Sequence, residues 1–215
     1  ERRAVAECVR AAPADRFPTM AAFLDALREG SEAGTPTRGT GGRGQGRIML
    51  AVLPLENRSA DPEQEFFTDG MTEELIGRFA QVGDLRVISR TSVMPFKSTR
   101  LPLQEVAKRL RVGFVVEGSV QRAGNRVRVS ARLVDPPSGR AVWADTYDRN
   151  VTDVFALQRD VVMAVVEKVD ARLSPGERAR LERTPEVSPE AHGFYLQGLA
   201  SYHSLTAEGV RRAIL

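Results

Sequence analysis

The sequence predicts an α/β (α+β) domain: a mixed sheet of about five strands in the order β-α-β-α-β-β-β-α, with helices packed on it. Three observations predict it. Ile48–Leu55 is one continuous apolar run, the signature of a strand buried on both faces. Val127, Val129, Ala131 and Leu133 alternate with Arg126, Arg128, Ser130 and Arg132, so a later strand has one buried face and one wet face. Val154, Leu157, Val161, Val165, Val169 and Leu173 then recur at helical spacing, giving a long closing helix over 154–173.

The elements between these landmarks follow from turn chemistry and periodicity. A polar stretch, 56–64, leads to a helix opening near Thr68-Asp69, with Met71, Leu75, Ile76 and Phe79 on its apolar face. Glu73 and Glu74 occupy its first turns, where negative charge complements the helix dipole. Leu85–Ser89 reads as a second strand. Pro102 opens a second helix whose face is Leu103, Val106, Ala107 and Leu110. This β-α-β-α run favours parallel pairing through crossovers. Three strands at 114–122, 126–134 and 141–147 come next, joined by Gly124-Asn125 and by the turn 135–139.

Outside this domain the patterns are shorter. Residues 1–29 contain two short amphipathic stretches: Val5, Cys8 and Val9, then Met20, Phe23, Leu24 and Leu27, with Pro13 between them. They start inside a helical pattern and are too small to fold alone, so they read as the truncated end of another domain. Residues 30–46 are a Gly/Ser/Thr linker expected to be flexible. Gly39–Gly46 is no phosphate loop, because it precedes a strand and opens no helix. Residues 175–188 read as a second linker, and 189–215 as a truncated helical pair.

Composition bounds the chemistry. Of 215 residues, 42% are hydrophobic and 27% charged, which fits one globular domain with flanking pieces. A formal net charge of +3 is too small to imply nucleic acid by itself. The single cysteine, Cys8, excludes an internal disulfide, and two histidines, His192 and His203, make zinc chemistry improbable. Ile48–Leu55 is too short to span a bilayer, so a cytoplasmic setting is the default expectation.

Three resemblances add to this reading. Cys8-Val9, the turn Ala12–Pro18 and the helix Met20–Leu27 resemble the C-terminal end of the large lobe of bacterial Ser/Thr protein kinases. In that family the arginine matching Arg16 pairs with a buried glutamate that this chain lacks. Arg16 is therefore expected to be exposed or to borrow another carboxylate. The segments AVLPLENRSADPEQEFFTDGMTEELIGRF, LRVISRTSV, VVEGSVQRAGNRVRVSARLVD and VWADTYDR resemble, in order, the TolB-N-terminal-like (FlgO-like) domain. That likeness spans roughly 48–174 and brings no catalytic residues with it. Its departure is Lys97–Arg100, where many members have Gly after the Lys. Ala191, Phe194, Tyr195, Leu196, Gly198 and Tyr202 resemble the first helix of a tetratricopeptide repeat, with Gly209–Leu215 opening the second. Such a repeat, cut off from its neighbours, is expected to be poorly supported.

Together the resemblances imply a non-catalytic signalling and protein-interaction module from the C-terminal part of a bacterial Ser/Thr kinase. Its domains are then a kinase-like tail at 1–29, the linker 30–46, the TolB-like domain at 47–174, the linker 175–188 and the repeat at 189–215. ATP and Mg²⁺ would belong to the missing kinase domain, with no cofactor and no metal in this chain. An adenylate-cyclase-type parent and weak nucleic-acid binding are the remaining alternatives.

The candidate interaction surface is Trp143, Tyr147, Arg126, Arg128 and Arg132. The aromatics serve either as anchors for a partner protein or as packing at a sheet edge. The arginines serve either to hold phosphates or simply to pair with Glu117, Asp145 and Asp148 across strands, and the interleaved acids favour pairing. Those three carboxylates have no nucleophile or base beside them in sequence, so no catalytic residue is assigned.

Overall fold

A computed structural model describes residues 47–99, 101–183 and 187–203. The kinase-like tail with Cys8 and Arg16, the linker 30–46 and the segment 209–215 lie outside the described residues. The elements are β1 (Ile48–Val52), β2 (Glu56–Asn57), α1 (Glu65–Phe79), β3 (Leu85–Val87), α2 (Arg90–Val93), α3 (Leu103–Leu110), β4 (Phe114–Ala123), β5 (Arg126–Asp135), β6 (Arg140–Asn150), α4 (Val154–Lys168), α5 (Pro175–Glu182) and α6 (Pro189–His203). Short 3-10 turns at Pro62–Gln64, Met94–Phe96 and Val151–Asp153 lead into or out of helices.

The sheet is mixed, as the sequence predicts, in the order β3-β1-β4-β5-β6. β1 pairs in parallel with both β3 and β4, whereas β4, β5 and β6 form an antiparallel meander. The sheet has a sixth strand: β2 lies within the stretch expected to be merely polar and pairs in parallel with β4, Glu56 opposite Ser119. Beyond it Asp61 accepts a 2.8 Å hydrogen bond from the Glu63 N–H, capping the turn that starts α1 three residues earlier than expected.

Leu50, Ala51 and Val52 of β1 are fully buried, as a strand covered on both faces must be. Val127, Val129, Ala131 and Leu133 are buried with Phe67, Met71, Leu75 and Phe79 of α1 and with Leu157, Val161 and Val165 of α4 in one core. Thr72 is buried on α1 with its hydroxyl satisfied: Oγ1 donates to the Thr68 carbonyl at 3.0 Å and accepts from the Leu55 N–H at 3.1 Å. At Gly118 a Cβ would lie 2.1 Å from the Ser130 carbonyl oxygen, so β4 and β5 approach there only because that residue has no side chain.

Two helix ends correct the sequence-derived boundaries. α4 stops at Lys168, short of Leu173, because Asp170 adopts φ 53 and returns the chain. The Ala171 N–H bonds the Val166 carbonyl and the Asp170 N–H bonds the Glu167 carbonyl, the paired closure of a Schellman motif. The stretch 175–188 holds a helix: Ser174 and Glu177 form a reciprocal capping box at the start of α5, and Leu181 is fully buried. Glu177 also accepts from the Gly83 N–H at 2.7 Å, which ties α5 to the loop before β3.

α6, expected to be poorly supported, is docked on α1. Leu196 is fully buried against Gly70, where a Cβ would come within 2.5 Å of its side chain. His192 Nε2 lies 2.7 Å from Glu74, and His203 Nε2 lies 3.0 Å from Glu73. Phe194, Tyr195 and Tyr202 stay exposed.

Candidate functional site

The helices divide the sheet unevenly. α1 and α4 cover the inner face of the meander, while the outer face of β4, β5 and β6 is open beside α3. The result is a groove of about 680 Å³. Its floor is polar: Glu117 and Ser119 from β4, Ser130 and Arg132 from β5, and Thr146 from β6. Its wall is apolar, built from Phe96, Leu101, Leu103 and Val106. Strand alternation makes the floor and the α3 face makes the wall, so neither element carries the site alone.

The floor is held by pairs. Arg132 Nε donates to Glu117 Oε1 at 2.7 Å, and the Ser130 and Thr146 hydroxyls are 3.0 Å apart. Further along the same face, Asp148 accepts from Arg126 and from Arg128, the latter at 2.9 Å. The hydrogen bond from Arg128, helped by Arg126, outweighs desolvation and holds the Asp148 carboxyl below its ordinary value. The pairing expected of Arg126, Arg128 and Arg132 with Glu117 and Asp148 is thus present. These are exposed pairs, screened by solvent and weak individually.

Asp145 is not part of that face. Tyr147, Asp145 and Trp143 oppose Val129, Ala131 and Leu133 in register, which puts them on the inner side of β6. Trp143 and Tyr147 are partly buried and pack against the core. Burial first, then the charge and hydrogen bond of Asp145, push the Tyr147 phenol up to about 12. The structure therefore brings the three arginines together on one face and the two aromatics together on the other.

The wall is anchored through Lys97, whose Nζ lies 2.6 Å from Glu65 and also contacts Asp69, both near the start of α1. Burial lowers its proton affinity, but the hydrogen bonds to Asp69 and Glu65 outweigh that and raise its pKa above the ordinary lysine value. A second polar cluster lies at the junction of α1, α4 and α6. Gln158, fully buried, accepts from Arg78 Nε at 2.9 Å and donates to Glu74, the carboxylate that also holds His192. Sequence reasoning missed this cluster; a Gln within the apolar stripe of α4 was its one visible sign. Among the described residues no group of three or more His, Cys, Asp or Glu side chains is arranged to hold a metal ion. No described helix is long and apolar enough to cross a membrane.

No protein-family model matches the chain. Over 168 residues, 77% of this chain, it is 38% identical to a protein of Rhizobium meliloti (strain 1021) described as "Putative adenylate cyclase 3". The chain spans 29% of that relative's length. Among solved structures it is similar to TolB from Acinetobacter baumannii (TM-score 0.43, 13% identity, covering 58% of this chain and 28% of that one). It is also similar to lipoprotein GNA1162 from Neisseria meningitidis (TM-score 0.41, 19% identity, 57% of this chain and 98% of that one). A third likeness is to the LpoB C-terminal domain from Salmonella enterica (TM-score 0.39, 17% identity, 48% and 83%).

These findings correct the functional expectation. The curated relative that matches most of this chain is described as a cyclase, so the reading as a module of a Ser/Thr kinase is set aside.

Proposed function

We propose that this domain is the accessory binding module of a longer signalling protein of the adenylate-cyclase type. The observation that carries the proposal is the 38% identity along 77% of the chain with the protein described as an adenylate cyclase. Catalysis would reside elsewhere in the longer protein. The present domain, read as TolB-N-terminal-like over 48–174, would contribute recognition through the open groove. A polar, charge-paired floor facing an apolar wall suits an amphipathic occupant such as a peptide segment.

The test uses the full-length protein. It should convert ATP to cyclic AMP, and the 215-residue chain alone should not. Reversing the floor pair one residue at a time, Arg132→Glu or Glu117→Lys, should change cyclase activity severalfold while leaving the melting temperature within a few degrees. A full-length protein without cyclase activity would defeat the proposal. Activity indifferent to both reversals would remove the groove from it.

A further inference from the structure

We propose that β6 is a self-recognition edge, by which two copies of this chain pair antiparallel about Tyr147. Among the described residues β6 has one neighbour, β5, so its other edge carries unpaired backbone groups. The Val151 N–H bonds the Asn125 carbonyl on the β5 side. Residues alternate along a regular strand, so Tyr147 and Arg149 also turn their backbone groups toward β5. Ala144, Thr146, Asp148 and Asn150 then present theirs outward. The register is regular through this stretch; its one shift lies at Leu133/Val134, opposite the start of β6.

Two of these outward groups are occupied by the strand's own charged side chains. Asp145 Oδ1 accepts from the Thr146 N–H at 2.7 Å. Arg149 Nη1 donates to the Asp148 carbonyl at 3.2 Å. If a second copy pairs with Tyr147 opposite Tyr147, Thr146 stands opposite Asp148 of the other chain. The capped N–H and the capped carbonyl are then each other's partners. Asp145 stands opposite Arg149 of the other chain on the same face, so the side chains that release the backbone meet as an ion pair, twice by symmetry. A register centred on Asp145 would instead set two carboxylates against each other. The charges on this edge are thus self-complementary in the register that also matches donor to acceptor. The inference rests on the edge of β6 and is independent of the groove and of the cyclase reading.

Sedimentation of the 215-residue chain from micromolar to sub-millimolar loading tests it, with circular dichroism confirming the fold of every variant. The wild type should reach a dimer. Asp145→Arg and Arg149→Asp, each alone, should weaken dimerisation about tenfold or more, and the double swap Asp145→Arg/Arg149→Asp should restore it. Thr146→Pro removes an outward N–H that takes no part in the β5 ladder and should give a folded monomer. A wild type that stays monomeric throughout would overturn the proposal, leaving Asp145 and Arg149 as guards of a solitary edge. Single reversals that leave the dimer intact, a double swap that fails to restore it, or a dimeric Thr146→Pro would overturn it equally.

Discussion

The two faces of β5 differ in what their side chains do for the molecule. On the inner face Val127, Val129 and Leu133 are fully buried, each contributing about 1.5–3 kcal/mol through burial. On the outer face Arg126, Arg128 and Arg132 stay more than half exposed and pair with carboxylates in contacts that solvent screens. One strand therefore fills the core on one side and presents a charge-paired polar surface on the other. Substitutions should separate accordingly.

The largest effect is expected where the two faces are closest to the backbone. Gly118→Val places atoms where the Ser130 carbonyl already stands, and should cost about 3 kcal/mol or more, read as a collapse of the urea midpoint. Leu133→Ala should follow at about 2–5 kcal/mol in equilibrium unfolding, without altering the outer ion pairs. His192→Ala leaves Glu74 with Gln158 but without its ring partner. It should cost about 1–3 kcal/mol and speed hydrogen exchange in α6 before the sheet. Arg132→Ala should lower stability by less than about 1 kcal/mol. A cost above that of Leu133→Ala would erase the distinction between the faces.

The smallest effect is a pH dependence. Asp148 has its folded pKa depressed by Arg128 and Arg126, so its contribution is present above the unfolded value of 3.8 and lost as pH falls through the folded value. Melting temperatures measured from neutral pH down into the acid range should fall slightly less steeply for Asp148→Asn than for the wild type.

The division between faces was legible in the sequence, because alternation in β5 is strict and a pleated strand leaves no other arrangement. The Arg–carboxylate pairing followed from the same alternation. α5 leaves a trace too: Ser174, Pro175 and Glu177 spell a capping box with Pro at the first helical position, but the Pro-Gly pair reads as linker and only Leu181 is buried. β2 leaves no such trace, since two residues pair only because β4 happens to lie beside them. Part of the groove wall was out of reach for a related reason. Phe96 and Leu101 face the floor through chain folding between α2 and α3, not through any period. The bending of Asp145 and Arg149 back onto their own strand depends on rotamers that no pattern encodes.

The acidic side chains of α1 have a mechanical consequence. Glu65 and Asp69 hold Lys97 beside the groove wall, Glu73 holds Arg90 and His203, and Glu74 holds His192 and Gln158. One helix is thus the beam to which the wall, α2, α4 and α6 are all fastened. Removing charge from this one helix therefore loosens several of its neighbours at once, which no single substitution on the sheet can do.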